Sequence, residues 1–207
     1  MPKNTRPSRK MKPVILVLCE GETEECYIDF LKQKYRLPIK IVSKIVGSKI
    51  NTRLIRRYKK ELALTNSETI NCFLMYDADV QSVVDNLMNC EEKLLLSRPC
   101  IEVWFLAHSQ KVPAKNISSE ECVNLLKKEI PWKEYKKGNL TINQQEILWN
   151  KRKSAGNNIQ NTQSIEHVFS MLGSFIDFLE EKQGKRILNT FKINTKQSIV
   201  FKNLKKH

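Results

Sequence analysis

The sequence predicts an α/β protein, with a mainly parallel sheet flanked by helices and a helical C-terminal half. Three observations carry that prediction. Two short apolar runs, Val14–Cys19 and Ile70–Tyr76, read as strands buried on both faces. Each run stops at turn-forming polar residues, Glu20-Gly21 and Asp77-Ala78-Asp79. Strand-like and helix-like stretches alternate four times up to residue 110, as parallel strands joined by helical crossovers do.

Residues 1–12 are rich in proline and charge without periodicity, and read as a basic flexible arm. The first strand ends at Gly21, a residue free to make the tight turn that comes next. Thr23 is expected to cap a helix with Glu24 and Glu25 in its first turn, where the helix dipole favours negative charge. Tyr27, Phe30 and Leu31 give this helix its apolar face, and Pro38 helps to end it. Ile39–Val46 alternates in part and reads as a second strand closed by Gly47. Lys49–Thr65 reads as a helix with Leu54, Ile55, Tyr58 and Leu62 inward and Arg53, Arg56, Arg57 and Lys60 in a stripe outward. After the third strand, Val83, Val84 and Leu87 mark a short helix, and Lys93–Ser97 a fourth strand. Pro99 opens a helix in which Ile101, Trp104, Phe105 and His108 share a face and Glu102 lies in the first turn.

From Lys111 the pattern turns helical. Ser118 or Ser119 caps a helix with Val123, Leu126 and Ile130 apolar, and residues 141–153 continue it with Ile142, Leu148 and Trp149. Val168, Met171, Leu172, Phe175, Ile176 and Leu179 make the stripe of one long helix. The residues after Gly184 are basic and fit no single pattern. The chain thus divides into an arm (1–12), an α/β unit (13–110) and a helical C-terminal region with a basic tail (111–207).

Of 207 residues, 41% are hydrophobic, enough for a sizeable core. Lys and Arg number 36 against 22 acids, and a net charge of +14 favours a polyanionic partner, nucleic acid before an anionic membrane surface. No apolar run approaches a membrane span, and the run behind the basic start is too short for a signal peptide, so a cytoplasmic protein is expected. The six cysteines form neither a CxxC pair nor a zinc-spaced cluster with histidine. They read as small, reduced core side chains, and any metal is expected to be held by oxygen.

Glu20 at the end of the first strand and Asp77-x-Asp79 at the end of the third fall on the sheet edge where open α/β proteins bind ligands. Three carboxylates there are costly unless a cation neutralises them, and hard oxygen donors suit Mg²⁺ or Mn²⁺. Such an ion can polarise a phosphodiester and activate water. Glu22, Glu24 and Glu25 also fit plain helix-start chemistry. The basic stripe fits a solvated helix face as well as phosphate contact. For His108, packing is favoured over catalysis.

The Glu20-Gly21-x-Thr23-Glu24 turn with Asp77-x-Asp79 further along resembles the Toprim domain of topoisomerases, primases and OLD-family nucleases. Ser97-x-Pro99-Cys100-x-Glu102-x-Trp104-x-Leu106-x-His108 resembles the RloB family of prokaryotic defence proteins, which includes the AbiL-type abortive-infection component. Tyr135-Lys136-Lys137-Gly138 and the segment around Ser164-x-x-His167 fit that family too. The resemblance implies a Toprim-like sheet and a nuclease with Glu20 as ligand or general base and Asp77 and Asp79 as Mg²⁺ ligands. It implies Glu24 and Glu102 as accessory acids and an ABC/AAA-type ATPase as a plausible partner. Arg98 stands where the family pattern has Asn, and could pair with Glu102 or contact a phosphate.

A receiver-like domain would need an acidic pair after its first strand, and a haloacid-dehalogenase phosphatase its Asp-x-Asp there; neither fits. A topoisomerase or primase needs more chain. The rival from another class is a non-catalytic subunit that binds nucleic acid or an ATPase partner.

Overall fold

The computed structural model describes residues 14–37, 40–62, 70–159 and 167–184. Strand β1 (Val14–Cys19) is buried throughout and lies between β2 (Lys40–Ile45) and β3 (Ile70–Asp77), parallel to both. Next to β3 runs β4 (Lys93–Arg98), also parallel, and beyond it a two-residue strand, β5 (Phe169–Ser170), pairs antiparallel. The order is β2-β1-β3-β4-β5. Helices α1 (Glu22–Tyr35), α2 (Thr52–Leu62), α3 (Gln81–Met88) and α4 (Glu102–Ala107) come after the first four strands in turn. Then come α5 (Ser119–Lys128), α6 (Ile142–Ala155) and α7 (residues 172–184). The alternation predicted up to residue 110 is therefore the observed one.

Successive β1 side chains point to opposite faces. Leu16 and Leu18 pack with Ile55 of α2 and Val83, Val84 and Leu87 of α3. Ile15, Val17 and Cys19 join a larger core built with α1 and α4 and closed by Leu126, Leu148, Phe175 and Ile176 from α5, α6 and α7. Residues beyond 110 thus complete one face of the sheet rather than standing apart from it. Every residue of α4 is buried, so the face expected to carry Ile101, Trp104 and Phe105 is one side of a helix enclosed all round.

Several local expectations change. Gly21, not Thr23, occupies the cap of α1; its N–H donates to Glu24 Oε2 (3.0 Å). The helix expected from Pro99 starts at Glu102, after a turn in which Val103 N–H donates to Cys100 O (3.1 Å). Ser118 caps α5. Ile130 and Ile142 stand 81% and 74% exposed, because α5 ends at Lys128 and α6 turns its other side to the core. The long C-terminal stripe begins as β5, since Met171 N–H donates to Leu96 O (2.8 Å) and the edge of β4 claims the chain before α7 can start. The basic arm, Pro38, Ile39, the end of the Lys49–Thr65 stretch, Ser164 and the basic tail lie outside the described residues. Among the described residues no helix is long and apolar enough to cross a membrane. All six cysteines are free thiols, and Cys19, Cys72, Cys100 and Cys122 are buried.

Candidate functional site

The carboxyl ends of β1 and β3 meet the N-termini of α1 and α4, and five acids gather there. Glu20 continues the ladder, its N–H donating to Met75 O (3.0 Å), and its Oε2 accepts from Asp77 N–H (3.0 Å). Asp77 Oδ1 in turn accepts from Ile101 N–H (2.9 Å), which anchors the turn leading into α4. Glu102, the first residue of α4, is fully buried. Its Oε1 accepts from the Tyr135 hydroxyl (2.9 Å) and lies 3.9 Å from Lys137 Nζ. Its Oε2 is buried without a hydrogen-bond partner. Such an orphaned carboxylate oxygen is costly unless something unseen satisfies it.

The charges of these groups act on one another. Burial first, and then the carboxylates of Glu24, Glu102, Glu20 and Asp79, hold the Asp77 carboxyl well above its ordinary range. Burial also raises Glu24, with help from Glu102 and Glu20, against the opposing bond from Gly21 N–H. Glu20 is raised by burial and by Asp79, against the bond from Asp77 N–H and the charge of Lys137. Burial opposes the charge on Lys137, but Glu102, Asp77 and Glu24 lift its ammonium above the usual value.

Asp79 sits at the margin, exposed, with Oδ2 at 3.5 Å from the Ser119 hydroxyl. The acids nearest in charge to Asp77 are Glu24 and Glu102 before Glu20 and Asp79. Among the described residues no three acid, histidine or cysteine side chains converge closely enough to enclose an ion as they stand. Glu20 and Asp77 each commit one oxygen to a backbone amide, which holds them short of a closed ligand set. The donor chemistry nevertheless fits a hard divalent ion: all donors are carboxylate oxygens, and one, Glu102 Oε2, lacks a partner. Mg²⁺ keeps several waters and needs only one or two carboxylates.

Arg98 turns away from Glu102; its Nη1 donates to Ala78 O (2.8 Å) and braces the Asp77-Ala78-Asp79 turn. Arg53, Arg56, Arg57 and Lys60 are all exposed on α2. Arg57 faces Glu61 at 3.6 Å, so the stripe has an acid beside it. Lys59 pins α2 through Glu92 (2.6 Å) and so fixes which way the stripe points. His108 is buried, its Nδ1 2.8 Å from Trp104 O, and burial pushes it down to about 4, which keeps it neutral.

Two site residues escaped the sequence reading of chemistry. Tyr135 and Lys137 come from a turn more than thirty residues past α4, and their one local signal is the basic pair before Gly138.

The family model for RloB-like proteins matches residues 15–174, more than half of the chain. The chain belongs to the RloB-like family. No curated protein and no solved structure gives a match. The RloB-like match spans every acid of the cluster as well as Tyr135 and Lys137. Membership suggests a defence-associated protein.

Proposed function

We propose that this RloB-like protein is a Mg²⁺- or Mn²⁺-dependent Toprim-type endonuclease of a prokaryotic anti-phage, abortive-infection system. It hydrolyses phosphodiester bonds of RNA (tRNA is one candidate) or DNA in the cytoplasm, with an ABC/AAA-type ATPase as a partner. The observation that carries this reading is the gathering of Glu20, Glu24, Asp77, Asp79 and Glu102 around one lysine, with Glu102 Oε2 left unpartnered.

Asp77 and Glu20 would hold the ion through the oxygens not bonded to backbone amides, with Asp79 at the open side and Glu24 and Glu102 behind. The ion, when bound, supplies a Lewis acid and a water of lowered pKa. Glu20, raised above its ordinary value, is the acid best placed to take a proton from that water. The Tyr135 hydroxyl stays protonated, since burial and Glu102 raise it, and it keeps Glu102 in place as a donor-held acceptor.

Purified protein with Mg²⁺ or Mn²⁺ is expected to cut labelled tRNA or single-stranded DNA. Asp77→Asn and Glu20→Gln lower that rate by at least about a hundredfold while the circular-dichroism spectrum is kept. One observation favours a second reading, a non-catalytic nucleic-acid-binding or regulatory subunit: no three ligands converge among the described residues. Variants as toxic or as protective in cells as the parent would establish that reading instead.

A further inference from the structure

Five acids can serve an ion, yet they repel the polyanion that the ion is meant to act on. We infer that Lys137, carried by the turn over residues 135–139, receives the substrate: its ammonium contacts a non-bridging oxygen of the phosphate set against the acid cluster. This rests on the nuclease reading and adds a substrate-contacting residue to it.

The turn is pinned at both ends. Tyr135 is buried, its ring against Trp132 and Phe105 and its hydroxyl on Glu102. Gly138 N–H donates to Thr23 Oγ1 (3.0 Å), and Lys136 and Asn139 pair across the turn. Gly138 has φ +73°, and a Cβ there would sit 3.1 Å from Glu22 Cβ and Oε2. A larger residue would therefore be strained in its backbone and would push the turn off α1. With its neighbours fixed, Lys137 moves only along its own side chain.

Its contact with Glu102 is also too loose for a counter-ion alone. Lys59–Glu92 and Arg152–Glu180 close to 2.6 and 2.8 Å, the range of a charge-assisted hydrogen bond. Lys137 stays at 3.9 Å from Glu102, with its side chain 62% exposed. The ammonium thus stands at the mouth of the cluster with donors toward solvent, where an arriving phosphate meets it.

The test compares wild type with Lys137→Met and Lys137→Arg, using a labelled single-stranded RNA and its DNA counterpart. Cleavage in Mn²⁺ is expected to fall about a hundredfold in the Met variant, as when one charge-stabilising donor is removed, and to recover in part with Arg. Binding in EDTA is read separately: the slope of log K against log salt shrinks by about one in the Met variant. Mn²⁺ binding persists, because Lys137 is not a ligand. An unchanged rate and an unchanged slope make Lys137 only the neighbour of Glu102 and overturn the inference. If wild type binds nucleic acid without cutting it, the nuclease reading falls, and the slope alone decides the role of Lys137.

Discussion

Asp77 bears the charges of Glu24, Glu102, Glu20 and Asp79 at once, on top of its own burial. In the folded chain it therefore keeps its proton to a higher pH than the ordinary carboxyl value of 3.8. The stability this gives is fully present below about that value and is lost as pH rises through the folded one. At neutral pH, without metal, the ionised group opposes folding. Asp77→Asn keeps the acceptor for Ile101 N–H and removes the charge, so in EDTA at pH 7–8 it should melt above wild type. Each pKa unit of relieved repulsion corresponds to about 1.4 kcal/mol, and 1 kcal/mol to about 2–4 °C in a chain of this size. The gap should close as pH falls toward 4, and Mn²⁺ should raise the melting point of wild type but not of the variant. A variant that melts lower in EDTA at every pH would show that the Asp77 charge is already compensated.

Among the elements, α2 and the 135–139 turn divide the cations between them. The exposed side of α2 carries Arg53, Arg56, Arg57 and Lys60, held in one orientation by Lys59–Glu92 and by Ile55 in the core. Arg56→Glu with Arg57→Glu is expected to weaken nucleic-acid binding and flatten its salt dependence. Equal affinity at low salt would return the stripe to an ordinary solvated face. Distance along the chain governs how much of the site is legible in the sequence. Glu20 and Asp77 are legible because a buried strand announces its own end, and Glu102 because a helix start does. Lys137 is not, since its place depends on Gly138 meeting Thr23 across 115 positions. Ile142 departs from its expected inward place for a related reason: an apolar residue in a helix shows a face, but not whether that face meets anything.

On the scale of the molecule, a protein of net charge +14 keeps its acids in one place, so a polyanion is drawn by the whole and checked at the site. The α/β alternation is legible because each buried strand is a continuous apolar run. The dependence of that unit on the residues beyond 110 is not, because a core shared between distant segments leaves no local mark. Leu126, Trp132, Leu148, Phe175 and Ile176 cover the face formed by Ile15, Val17 and α4. A fragment of residues 13–110 should accordingly fail to fold alone, with little chemical-shift dispersion, whereas a fragment ending at Gly184 should fold. A well-dispersed spectrum from the shorter piece would show that the first unit stands on its own.

The two residues of β5 have a consequence out of proportion to their length. By taking the outer hydrogen-bonding groups of Ser97 and Arg98, they seal one flank of the sheet with a strand running the opposite way. Among the described residues, β2 is then left as the flank with no neighbour beyond it. A strand from another molecule that lengthens this sheet would have to join along β2, giving any such assembly a single direction of growth.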